Sequence, residues 1–202
     1  MDKTEIKTLF NINPKQEVLL DDLIDQIQRY NKHTNLVGRS TLVDPWRSHI
    51  LDTIQIKKFI KDKKKHILDM GTGAGFPGLV LSIMDYQNVT LVDSNGKKIN
   101  FLKIIKKSLN LGAHIKLGRL EKLDSLKYDI ITSRALARLN KLFTYSQKFI
   151  KKNTVLIFLK GKTVNDELIE AKKIWSFHYE KHKSLSDHRG CILVLKNLKK
   201  HD

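Results

Sequence analysis

Apolar positions fall into two rhythms along this chain. Up to about residue 60 they recur at helical spacing: "KQEVLLDDLIDQIQRYNKHTNL" sets Val18, Leu19, Leu23, Ile27 and Tyr30 on one expected face. "DPWRSHILDTIQIKKFI" repeats the signal, with Asp44 as a cap, Pro45 at a first helical position, and Ile50, Ile54 and Phe59 in the stripe. A lysine-rich bridge, "KDKKKH", then leads into short apolar runs that alternate with amphipathic stretches. Strands are expected at 66–70, 89–92, 114–117, 129–133, 154–159, 176–182 and 191–195, and helices at 78–84, 96–109, 120–126, 138–150 and 164–175. Such alternation predicts an α/β fold, a parallel sheet wrapped by helices with right-handed crossovers. Only "KSLSDHRG" separates the last two strands, so a hairpin should put an antiparallel strand into that sheet. The expected organisation is an N-terminal helical extension, residues 1–60, packed on a core of residues 61–202.

Charge adds a partner class. Of the 202 residues 38 are Lys or Arg and 21 Asp or Glu, a formal net charge of +17, which suits a polyanionic partner. Phosphate-tracking candidates are Lys61, the lysines at 63–65, Lys97, Lys98, Lys106, Lys107, Lys160 and Lys162. Cys191, the single cysteine, has no internal disulfide partner and sits in a strand-like apolar run, where a small buried hydrophobe is expected. "MDKTEIKTLF" lacks the apolar core of a secretory signal, and the stretch from Met70 to Met84 is too short to span a bilayer. The expectation is a cytoplasmic protein with no membrane contact.

Candidate chemistry lies where the first strand breaks into glycines. "HILDMGTGAGFPGLVLSI" fits the dinucleotide fingerprint through Gly73, Gly75 and Gly78, and the S-adenosylmethionine (SAM) loop through Asp69, Gly71, Gly73 and Gly75. Asp93 ends the second strand 20 residues beyond Gly73, where a carboxylate accepts from both ribose hydroxyls of a nucleoside. Three features favour SAM over a nicotinamide cofactor: Asp69 two residues before the first glycine, the antiparallel last hairpin, and the lack of a Tyr-x-x-x-Lys pair. An NAD-dependent oxidoreductase and a non-catalytic RNA-binding protein with a SAM pocket are the alternatives.

The fourth strand ends in Ser133-Arg134-Ala135 rather than the Asn/Asp-Pro-Pro-aromatic signature of exocyclic-amine methylases. An acceptor that is already nucleophilic, of which guanine N7 is one, needs alignment rather than a general base. Arg134 then becomes a candidate for binding substrate phosphate, guanine O6 or the SAM carboxylate. No metal chemistry is expected, since His178 and His182 lie on a strand at a spacing that forms no ligand pair.

"YNKHTNLVG", "HILDT", "LDMGTGAGFPGLVLSI", "LVDSNGKKINFLK", "ITSRALARL", "FLKGK" and "LVLKN" occur in that order. Together they resemble the bacterial ribosomal RNA small subunit methyltransferase G family, also called glucose-inhibited division protein B. The resemblance implies a Rossmann-like methyltransferase sheet and SAM-dependent N7 methylation of a guanine in the decoding-region loop of 16S rRNA. It further implies a monomer acting on 16S rRNA or the small ribosomal subunit. Cofactor contacts carried by the resemblance fall on Gly71, Phe76, Leu120, Glu121 and Arg134, with Phe76 packing on the cofactor and Leu120-Glu121 meeting the adenine edge. Two positions depart from the family pattern: Ser48, not an arginine, precedes His49, leaving Arg47 one place earlier, and Arg189 is displaced by one.

Overall fold

The computed structural model describes residues 1–201. Seven strands form one sheet in the order β3-β2-β1-β4-β5-β7-β6. They are β1 (His66–Met70), β2 (Asn88–Asp93), β3 (His114–Leu117), β4 (Tyr128–Arg134), β5 (Ile150–Lys160), β6 (Trp175–Lys183) and β7 (Cys191–Lys200). The first five run parallel, and β7 lies antiparallel between β5 and β6. The expected hairpin therefore forms, and its second strand returns inside its first.

Helices cover both faces. α1 (Lys3–Phe10) and α2 (Pro14–Asn31) start with reciprocal capping boxes, Asp2 with Glu5 and Asn13 with Gln16. The next segment is continuous but irregular: a π-helical stretch at Trp46–Leu51, α3 (Asp52–Ile54) and a 3-10 stretch at Gln55–Phe59. Asp44 caps it, accepting from the Arg47 N–H at 3.0 Å. These elements share one apolar core with α4 (Gly78–Ile83) and α5 (Gly96–Ser108), so residues 1–60 bury against the same sheet face as the two crossover helices. α6 (Leu139–Ser146) and α7 (Val164–Lys172) cover the other face around Phe143, Phe158 and Trp175.

Several sequence expectations shift. In α2 the buried stripe runs Gln16, Leu20, Leu23, Ile24, Ile27 and Asn31, leaving Val18 59% exposed and Tyr30 at the rim, edge-on to Phe101. The helix expected at 120–126 is one 3-10 turn, Leu120–Lys122, because so short a segment cannot repay helix nucleation. The helix expected to reach 150 ends at Ser146, and β5 takes up residues 150–153. Lys160, expected to face RNA, is part-buried and engaged instead. It is paired with Glu167 at 2.6 Å and donates to the Ala137 carbonyl, because β5 carries it under α7. Cys191 is buried in β7, and burial pushes its thiol pKa up. No helix among the described residues is long and apolar enough to cross a membrane.

Candidate functional site

Strand order reverses between β1 and β4, so the loops leaving their carboxyl ends diverge and open a crevice. The loop after β1 reaches it through left-handed backbone, with φ of +66° at Gly71 and +101° at Gly75. At Gly71 a Cβ would fall 2.5 Å from the Leu136 side chain, closing the approach between the two loops. Gly75 is needed for a different reason, since it is buried and a Cβ there would run into Leu79 and Leu102 behind the loop.

Two carboxylates hold this loop from opposite sides. Asp69 is fully buried beneath it. Its Oδ2 accepts from the Thr72 hydroxyl at 2.5 Å and from the Gly78 N–H at 2.9 Å, and its Oδ1 accepts from the Thr132 hydroxyl at 3.2 Å. Burial raises its pKa to about 6 against those hydrogen bonds. Asp93, at the end of β2, stands on the solvent side. It accepts from the Gly73 N–H at 2.9 Å and, through its other oxygen, from the Asn95 N–H at 2.9 Å. Asn95, not Asp93, caps α5, accepting from the amides of Lys97 and Lys98.

Arg134 is the centre of a second cluster. Its guanidinium donates to Asp52 Oδ2 at 3.0 Å, to the Ser48 carbonyl at 3.1 Å and to His49 Nδ1 at 3.1 Å, and lies 4.9 Å above the Phe76 ring. His49 stacks on the same ring, 4.8 Å between centroids at 11°. Since arginine only donates, His49 Nδ1 must accept, which puts the imidazole proton on Nε2 facing the Thr41 hydroxyl at 2.8 Å. The Thr41 hydroxyl donates onward to the Gly38 carbonyl, consistent with that tautomer. Burial first, and the Arg134 charge second, lower the His49 pKa to about 3, so the ring is neutral at any physiological pH. The other Asp52 oxygen accepts from the Ser186 hydroxyl at 2.6 Å, and Arg47 Nε donates to the Ser186 carbonyl at 3.0 Å. The β6–β7 loop is thereby tied to the helical segment that carries His49.

The crevice has two lobes that meet at Gly71. A large lobe of about 760 Å³ is lined by Gly71, Gly73, Phe76, Arg134, His49 and Lys98 among others. A small lobe of about 110 Å³ is lined by Gly71, Asp93, Leu120, Glu121, Leu136 and Tyr145. Of the residues singled out from sequence, Gly71, Gly73 and Arg134 line the large lobe, and Gly71, Asp93, Leu120 and Glu121 the small one. Three others sit off the open surface of the crevice. Asp69 is sealed under the loop with both oxygens engaged, and Gly75 faces Leu79 and Leu102 rather than the opening. The Phe76 ring borders the large lobe but is only 2% exposed, with His49 and the Arg134 guanidinium side by side against it.

His49, Asp52 and Ser186 escaped assignment from sequence. The first two stand three apart within one helical segment, a spacing that shares a face, but their common partner Arg134 is 82 residues from Asp52. The two displaced arginines both border the large lobe. Arg47 braces Ser186, and Arg189 is exposed and forked onto Asp187 at 3.1 and 3.2 Å. Among the described residues, no group of three or more His, Cys, Asp or Glu is arranged to hold a metal ion.

Residues 16–193 match the family described as GidB, rRNA small subunit methyltransferase G. The chain belongs to the rRNA small subunit methyltransferase G family. Among the family's curated members, "Ribosomal RNA small subunit methyltransferase G" of Rickettsia prowazekii (strain Madrid E) is 39% identical over 174 residues, covering 86% of this chain and 90% of that protein. The fold likeness is wider than the methyltransferase G family. Ribosomal protein L11 methylase from Lactobacillus delbrueckii subsp. bulgaricus superposes with a TM-score of 0.58 at 19% identity, covering 75% of this chain and 78% of that one. A mutant of MtNAS, solved in complex with S-adenosylmethionine, superposes with a TM-score of 0.61 at 13% identity, covering 97% of this chain and 84% of the other. Membership in the methyltransferase G family removes the oxidoreductase alternative that Gly73, Gly75 and Gly78 had kept open.

Proposed function

We propose that this member of the methyltransferase G family transfers the methyl group of SAM to N7 of a guanine in the decoding-region loop of 16S rRNA. The observation that carries the reading is the two-lobed crevice. Asp93 and Leu120-Glu121 stand at the small end, Gly71 at the waist, and Arg134 at the mouth of the large end. The groups around the small lobe suit the adenosine end of the cofactor, with Asp93 accepting from the ribose hydroxyls and Leu120 and Glu121 at the adenine edge. Gly71 lets the backbone approach the sulfur side closely. Arg134, held against Phe76 and hydrogen-bonded to Asp52, Ser48 and His49, offers its remaining donor capacity to a carboxylate, a phosphate or guanine O6.

The acid–base groups in the wall of the large lobe are already committed, while Asp187 and His188 stand at its exposed rim. His49 is neutral with Nδ1 occupied by Arg134, Asp52 is held by Arg134 and Ser186, and Asp69 is buried. An acceptor with an in-plane lone pair and no proton to lose fits these surroundings, and guanine N7 is such an acceptor. When bound, SAM supplies a sulfonium methyl group, and S-adenosylhomocysteine leaves as the new N–C bond forms. The chain's own residues contribute alignment of acceptor and donor, a proximity effect worth several orders of magnitude. The reading makes the protein a cytoplasmic monomer whose partner is 16S rRNA, free or within the small subunit.

The test is transfer of labelled methyl from SAM to small-subunit RNA, followed by chain cleavage specific for N7-methylguanine. One labelled guanine in the decoding-region loop is the expected result. Label confined to an exocyclic amine, a ribose or protein would overturn the N7 assignment.

A further inference from the structure

At the opposite end of the sheet from the crevice lies a second cleft, of about 640 Å³. It is bounded by the segment entering β1 and by the first residues of β4 and β5, the ends remote from Gly71 and Arg134. Six lysines line it: Lys58, Lys61, Lys65, Lys151, Lys152 and Lys196. Three acids also line it, Asp62, Asp129 and Glu180, but Asp129 is already engaged. Its carboxylate is paired with Lys151 at 2.8 Å and Lys65 at 3.9 Å, and accepts from the His66 N–H at 3.0 Å. Lys61, Lys152 and Lys196 are exposed and pair with no carboxylate among the described residues.

The floor is apolar. Ile130 and Val194 are buried in it, while Phe59 and Val155 are part-buried, the Phe59 ring lying against His182 and the Lys58 ammonium. Low-dielectric walls under a ring of ammonium groups focus positive potential into the cleft. Lysines suit a chain of phosphates, while an apolar floor gives a free inorganic anion nothing to bind but gives the face of a base a seat. This combination of basic groove and apolar platform is what an unpaired nucleic-acid strand requires.

We infer that this cleft is a second RNA site, which holds an unpaired stretch of the substrate RNA by its phosphates while the target nucleotide occupies the crevice. Naming RNA as the occupant rests on the proposed function, whereas the lysine cleft itself does not. The strands between the two sites are five to seven residues long, so the sites are separated by roughly 20 Å. A single extended strand would have to pass around the molecule to reach both. A folded RNA reaches both directly, so the site favours a structured substrate over a short oligonucleotide carrying only the target loop.

The experiment measures binding of a fluorescein-labelled oligouridylate to the full chain across a salt titration, with S-adenosylhomocysteine titrated in parallel. Charge reversal at Lys61→Glu, Lys152→Glu and Lys196→Glu together should weaken oligouridylate binding about tenfold or more, and flatten the log–log salt slope by about 2, three lost phosphate contacts at roughly 0.7 each. Affinity for S-adenosylhomocysteine should not change. The neutral triple variant with glutamines covers the case in which reversal impairs folding. Unchanged affinity and slope would overturn the inference. So would inorganic tripolyphosphate binding as tightly as oligouridylate with the same loss in the variant, since the occupant would then be a free polyphosphate. If the wild type methylates no RNA yet the variants still lose oligouridylate binding, the proposed reaction falls and the cleft stands. Normal methylation with unaffected oligouridylate binding gives the reverse.

Discussion

Replacing Arg134 by Ala is expected to lower kcat/KM for RNA methylation about a hundredfold or more, the scale of loss when reacting groups shift by roughly 1 Å. The guanidinium makes three hydrogen bonds and covers the Phe76 ring, so its removal takes away the group aimed at the large lobe and unbraces the wall behind it. Asp52 would keep only Ser186 as a hydrogen-bonding partner, and His49 Nδ1 would lose its donor. Arg134→Lys should recover little, because a single ammonium cannot fork between Asp52, Ser48 and His49. Steady-state kinetics with small-subunit RNA checks this, alongside thermal unfolding to show that the variant is folded. A folded Arg134→Ala protein with a rate within about threefold of wild type, far from the effect of a group positioning the reaction, would contradict the role.

The second large effect is on stability, and it comes in two opposed halves. His49 is neutral in the fold with a pKa of about 3, while in the unfolded chain it takes a proton near 6.5. Between those values the unfolded state binds more protons, so this group's contribution to stability is lost as pH falls from 6.5 toward 3. Asp69 acts in the other direction. Its pKa rises from 3.8 to about 6 on folding, so the folded state binds more protons in that window, and stability is lost as pH rises through it. Between pH 7 and pH 4 they amount to about 3 kcal/mol for His49 and about 2 kcal/mol for Asp69, at 1.36 kcal/mol per unit, and they largely offset each other in the wild type. Single variants should uncover them. Asp69→Asn should be more acid-labile than wild type, and His49→Gln less so. Chemical denaturation across this pH range measures both. Two variants with parallel profiles would mean that neither burial sets the acid response.

The sheet was legible because its central parallel strands are buried on both faces and so read as short, mostly apolar runs bounded by turns, as in β1 and β2. Elements with weaker local identity were not. The turn at Leu120–Lys122 and the π-helical stretch at Trp46–Leu51 are shaped by tertiary contacts that no window of sequence contains. At the site, spacing was enough to place Gly71 and Asp93 at the ends of neighbouring strands, because strand and loop lengths are regular distances. Spacing could not say which side of the loop a residue faces. Asp69 and Gly75 belong to the underside, and Phe76 lies against Arg134. The network through His49, Asp52 and Ser186 was invisible for a related reason. Ser186 and Asp52 are 134 residues apart, and only the return of the β6–β7 hairpin over the crevice brings them together.

Titration calorimetry with S-adenosylhomocysteine, comparing the wild type with Asp93→Ala, tests the cofactor crevice most directly. The wild type should bind one equivalent, and the variant should bind roughly thirtyfold more weakly, the scale of a lost hydrogen bond to a charged group. No binding by the wild type, or equal affinity in the two proteins, would contradict it.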